Sequence, residues 1–106
     1  MIRGTTPTVT INLDFNSQDI ETLYITFKQD NVVLFEKDLD DCTILSETVM
    51  CTLTQEDTLK LNETSQNNGS KKWLNVQCRC RLKDGTCLAN EIEKLEILGI
   101  LKEGVI

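Results

Sequence analysis

The chain contains no histidine. That removes the usual general base near neutral pH and the commonest metal ligand. Serine and cysteine nucleophiles are left without the imidazole that normally activates them. No Ser-x-x-Lys unit occurs, and the five glycines are scattered, so no phosphate-cradling loop is formed. These gaps exclude the familiar catalytic constellations, and the chain is expected not to be an enzyme and to carry no cofactor. Proline occurs once, at Pro7, and aromatic residues make up 5% of the chain. An aromatic ligand platform therefore has few candidates. No CxxC pair is present, and no apolar stretch follows Met1 that would read as a secretion signal.

What is present is a β-rich pattern on a single-domain scale. The 106 residues are 40% hydrophobic and 26% charged, enough for one thin two-layer core. Seventeen acids face eleven bases, for a net charge of −6, which disfavours nucleic acid as a partner. No membrane partner and no small-molecule substrate is indicated. Five cysteines, Cys42, Cys51, Cys78, Cys80 and Cys87, are expected to be reduced, small buried hydrophobes rather than metal ligands. The sequons at Asn62 and Asn68 are read as chance matches without a secretion signal.

The organising stretch is Trp73–Leu82. Leu74, Val76, Cys78, Cys80 and Leu82 share one parity, and Trp73, Asn75, Gln77, Arg79 and Arg81 share the other. Alternation of this kind predicts a long strand with one dry face and Arg79 and Arg81 on the wet one. Residues 1–7 are expected to be a flexible lead-in, and 8–106 a single domain. A strand of roughly eight residues starts near Val9. A hairpin over 20–38 reverses at Gln29-Asp30-Asn31, and its second arm opens on Val32-Val33-Leu34-Phe35, which does not alternate cleanly. Asp38, Asp40 and Asp41 lack the EF-hand order and read as a solvated loop.

A second hairpin turns at Ser46-Glu47, with Val49, Cys51 and Leu53 inward. Thr54 followed by Glu56 and Asp57 predicts a short helix or helical turn near 54–60. Residues 62–72 read as the one clear loop and the best candidate for mobility. Asp84-Gly85 closes the long strand as a hairpin, and Cys87 and Ala89 are inward candidates on the returning strand. Leu95 and Ile97 alternate in a last strand. Strand signals at intervals of roughly ten residues predict an antiparallel β-sandwich of about seven strands, immunoglobulin-like in architecture.

Two features point outward. Residues 14–63 hold twelve acids and three bases, whereas residues 71–83 hold five bases and no acid. Arg79 and Arg81 therefore pair with acids on a neighbouring strand, or meet the acidic surface of another copy in a head-to-tail contact. The apolar residues Leu98, Ile100, Leu101, Val105 and Ile106 are too many for a solvated segment, and are expected to contact another subunit or a larger partner. Trp73 is the single outward aromatic on the long strand.

Three segments carry a family resemblance: the opening Met1-Ile2-Arg3-Gly4-Thr5-Thr6-Pro7-Thr8, the run Leu53-Thr54-Gln55-Glu56-Asp57-Thr58-Leu59, and Asp84-Gly85 followed by Ala89. In this order the chain resembles small proteins encoded in the structural gene clusters of tailed bacteriophages and of prophages of Gram-positive bacteria. The cysteine load around the central strand departs from that pattern. The resemblance implies a virion structural or assembly role through other phage structural proteins and self-association as a homo-oligomer. It places the chain in the bacterial host cytoplasm during assembly and in the virion. A carbohydrate- or receptor-binding module on a virion, with Trp73 as its aromatic, and a prophage-encoded regulator of a host protein are the alternatives.

Overall fold

Alternating burial along ten residues produces the central strand. The computed structural model describes residues 1–65 and 69–106. Its strands are β1 (Thr8–Asn12), β2 (Ile20–Gln29), β3 (Val32–Asp38), β4 (Thr43–Leu45), β5 (Thr48–Thr52), β6 (Trp73–Leu82), β7 (Cys87–Ala89) and β8 (Glu93–Glu96), with one helix, α1 (Gln55–Leu59). Two antiparallel sheets form an all-β sandwich. One has the order β1-β5-β4; the other has β3-β2-β6-β7, with β8 also on β6. The dry face of β6 contributes Leu74, Val76, Cys78 and Cys80 to the core, while Leu82 is only half-buried near the sheet end. Leu23, Ile25 and Phe27 of β2 join them, and Ile11, Val49, Cys51 and Leu53 meet them from the small sheet. Phe27 stacks on Phe35 at 4.4 Å between ring centroids.

Local chemistry sets the turns. Asp30 and Asn31 both take positive φ, the pair of left-handed residues that a tight β2–β3 hairpin requires. Beyond that turn the apolar run is broken by a bulge: Phe27 pairs Phe35 and Lys28 pairs Val33, leaving Leu34 as the extra residue. This accounts for its failure to alternate. Asp38, Asp40 and Asp41 are solvent-exposed, as expected, and are ordered by a capped 3-10 turn over Leu39–Asp41. Asp38 accepts from the Asp40 amide, and Asp41 accepts from the Asp38 amide. At α1, Thr54 and Asp57 cap each other reciprocally.

The return from β6 differs from the sequence expectation. Ala89 lies opposite Arg79 and Cys87 opposite Arg81, both on the outer parity, and both side chains are exposed. Leu88, opposite Cys80, is the residue on the inner parity. The returning strand is also split in two. Arg79–Ala89 and Val76–Glu93 are offset by one residue, and Asn90 sits at the break. Its amide donates to the Cys78 carbonyl, and its side-chain oxygen accepts from the Cys78 amide, replacing one missing ladder bond. The first strand is shorter than expected, ending at Asn12.

Residues 1–7, expected to be a flexible lead-in, are tied down. Ile2 bridges Leu98 in parallel, the Arg3 amide donates to the Leu98 carbonyl, and the Leu98 amide donates to Met1. The backbone carbonyl of Pro7 accepts from Leu53. Of the loop 62–72, Asn62 is clamped: its amide donates to Gln29 Oε1 at 2.7 Å and its carbonyl accepts from Gln29 Nε2 at 2.9 Å. Gln29 is buried, and this side chain acts as a short stretch of β-ladder. The Asn68 sequon and the centre of the loop lie outside the described residues.

Val76 is buried between β2 and β8. Val76→Asp is expected to abolish cooperative folding, since an unpaired buried carboxylate costs several kcal/mol against a total stability of about 5–15 kcal/mol. Arg79→Gln, on the opposite face, should shift the urea midpoint little. Equilibrium unfolding followed by Trp73 fluorescence distinguishes the two.

Candidate functional site

The eight residues singled out from the sequence fall in two regions. Trp73 lies at one end of β6, and Arg79 and Arg81 lie six and eight residues along it, about 20–26 Å away. The segment 98–106 leaves β8 at the Trp73 end, because Glu96 is opposite Trp73. It runs back over the opening residues and α1. Gln55 Oε1 accepts from the Ile106 amide at 2.8 Å, and Glu103 receives the Arg3 guanidinium at 2.8 Å.

Arg3 holds this region together. Its Nε donates to the Leu61 carbonyl and its Nη2 to the Leu59 carbonyl, so it covers the open end of α1 while gripping Glu103. No periodicity marks Arg3 in the sequence, so its role was not legible there. Ile100 does not face solvent as its neighbours do. It is half-buried, with its Cδ1 so near Gly4 that a Cβ there would stand 2.8 Å away. Gly4 has φ +76°, a second reason for glycine. Ile100 is therefore covered within its own chain. Leu98, Leu101, Val105 and Ile106 are exposed, Leu101 at 97% and Ile106 at 90%. Polar contacts anchor this segment, and its apolar side chains other than Ile100 face outward.

The second region is the outer face of the large sheet. Arg81 pairs with Glu21, the extra residue of a bulge between β2 and β6. This is the cross-strand pairing expected for one of the two arginines. Arg79 makes no ion pair among the described residues. It lies opposite Tyr24, which is 50% exposed, and beyond Tyr24 lies Asp38. A shallow groove of about 350 Å³ is lined by Tyr24, Arg79, Arg81 and Glu36, among others. A second groove of about 280 Å³ opens on the seam between the sheets, lined by Ile11, Leu13, Phe15, Cys78, Cys80 and Leu88.

Among the described residues the acidic and thiol side chains are dispersed. No group of three or more acidic or thiol side chains could hold a metal ion there. Burial pushes the Cys42 thiol up to about 12 and the Cys78 thiol up to about 11; it raises Cys51 and Cys80 as well. These thiols are protonated near neutral pH and are packing groups. No helix among the described residues is long and apolar enough to cross a membrane. Compared with family models, curated proteins and solved structures, the chain gives no match.

One ion pair is structural. Lys37 Nζ reaches Asp57 Oδ2 at 2.8 Å, joining β3 to α1. Burial opposes ionisation of Asp57, but the Lys37 ammonium and the Thr54 amide and hydroxyl hydrogen bonds outweigh it and hold the carboxyl below 3.8. The hydrogen bond to Asp57 raises Lys37 in turn.

A carboxyl depressed on folding stabilises above its unfolded pKa and loses that contribution as pH falls through its folded value. Asp57→Asn should cost about 1.5–3 kcal/mol at neutral pH, the range for hydrogen bonds to a charged group. The gap from wild type should close as pH is lowered below 3.8, read as converging melting temperatures. For the thiols, native labelling with a disulfide reagent should modify Cys87 first. Cys51, Cys78 and Cys80 should react only on unfolding.

Proposed function

We propose that the chain is a non-enzymatic structural or assembly module of a tailed bacteriophage or prophage, acting through protein–protein contacts in the host cytoplasm and in the virion. The observation that carries this reading is the exposed apolar segment 98–106. Leu98, Leu101, Val105 and Ile106 all present large aliphatic surface to solvent. Burying each would contribute about 1.5–3 kcal/mol, and a partner's surface supplies that burial. Arg3, Gln55 and the Ile2–Leu98 bridge hold the backbone in place, so little ordering is left for the moment of binding. The sequence resemblance to phage structural-cluster proteins supplies the assembly context.

Glycan or receptor binding on a virion is the second reading, favoured by Trp73, exposed at 46%. Tyr24, on the same outer face, is about 20 Å away, so the two rings make separate contacts rather than one stacked platform.

Mass spectrometry of purified virions and assembly intermediates should detect the protein. Leu101→Ser and Ile106→Ser should leave its melting temperature unchanged and deplete it from the particles. Its absence from both, with the gene expressed, would overturn the reading.

A further inference from the structure

The outer face of the large sheet carries its charges in an order that complements itself. β2 runs down the middle, with β3 on one side and β6 on the other, each about 5 Å away. Along one row stand Asp38, Tyr24 and Arg79; along the next accessible row stand Glu36, Thr26 and Gln77. Acids thus line the β3 side, cations line the β6 side, and Tyr24 stands between them. Asp38 and Glu36 are exposed, and each gives one carboxylate oxygen to a neighbour, Asp38 to the Asp40 amide and Glu36 to the Thr26 hydroxyl. The Asp38 carboxylate also accepts from the Asp41 amide in its capping box, and the second oxygen of Glu36 has no hydrogen bond among the described residues. Arg79 is exposed, lines the groove and makes no ion pair among the described residues.

The geometry points to a symmetric dimer in which this face meets the same face of a second copy, about a two-fold axis running along β2. That operation lays the β3 side of one copy over the β6 side of the other and keeps each row in register. Asp38 of each copy then faces Arg79 of the other, twice over. Tyr24 lies on the axis, where each ring seats in the groove around the other's. The perpendicular in-plane axis would stack acid on acid and base on base, so charge selects one orientation. Among the described residues of β2, Glu21, neutralised by Arg81, and Lys28 are the charged side chains near the axis. Lys28 stands about 13 Å from Tyr24 along β2, where the twist of the sheets has drawn them apart. The patch is roughly 15 Å by 25 Å, small among specific interfaces, so the dimer is weak, reversible and salt-sensitive. It uses a different surface from residues 98–106 and does not require a virion.

Sedimentation of the full chain tests this. Wild type should dimerise reversibly at low salt and dissociate at high salt. Arg79→Glu and Asp38→Arg should each weaken self-association at least about tenfold. Mixing the two folded variants should restore it. Only the mixed pair sets the introduced glutamate opposite the introduced arginine while leaving the other Asp38–Arg79 contact native. Leu101→Ser should leave self-association unchanged. A wild type that stays monomeric up to about 1 mM overturns the proposal, as does an unaffected Arg79→Glu, a mixture that fails to associate, or a dimer lost in Leu101→Ser. If loss of the 3-10 cap unfolds Asp38→Arg, Tyr24→Lys replaces it. That variant places two cations on the axis, and a dimer that survives it overturns the proposal equally.

Discussion

Backbone pairing between β2 and β6 runs from Ile20–Leu82 to Lys28–Asn75, and each strand is ten residues long. Both strands bury one parity against the small sheet and present the other to solvent. A register slip by one residue would exchange Leu23, Ile25, Phe27, Val76 and Cys78 for Tyr24, Thr26, Gln77 and Arg79. The cost of such a slip locks the pairing, and the pairing in turn places every other element. β3 is carried on β2 by a tight hairpin. β7 and β8 share the far edge of β6, and the small sheet closes over the dry face.

Polar side chains complete what the ladders leave open. Gln29 substitutes for a strand beside Asn62, Asn90 fills the gap between β7 and β8, and Arg3 covers the carbonyls at the end of α1. Each of the three is a side chain satisfying backbone groups that would otherwise lack partners. The Lys37–Asp57 pair has the same character: it fastens α1 to the large sheet, with Thr54 completing the carboxylate's hydrogen bonds. These links bind segments far apart in sequence.

Surface character follows from this economy. With the dry faces spent on one core, residues 98–106 carry Leu98, Leu101, Val105 and Ile106 exposed, while Ile2, Val32, Val33, Leu45, Leu88 and Ile92 are exposed elsewhere. The remaining charge is sorted by strand on the outer face, acids on β3 and arginines on β6. One surface is suited to a partner by burial, the other by complementary charge. The salt dependence of the two contacts should differ for that reason: desolvation of aliphatic groups strengthens with salt, whereas exposed ion pairs are screened.

The sequence by itself determined the strands whose parity is clean. Tyr24 and Thr26 against Leu23, Ile25 and Phe27, and Arg79 and Arg81 against Val76, Cys78 and Cys80, are legible because a strand's side chains alternate whatever it pairs with. The caps at Thr54 and the turns at Asp30-Asn31 and Asp84-Gly85 were legible for a similar reason, being set by residues within a few positions. Only the tertiary structure decided the rest. Whether Cys87 or Leu88 turns inward depends on the register that the turn over 83–86 sets against β6, and the one-residue offset at Asn90 then shifts β8 without leaving a pattern. The opening seven residues look like a loose polar leader until Leu98 and Leu53 arrive to pair with them. Ile100 is indistinguishable from Leu101 in sequence, and only the approach of Gly4 covers one and leaves the other in solvent. The row of Asp38, Tyr24 and Arg79 joins three segments that nothing local connects, because it exists only once three strands lie side by side.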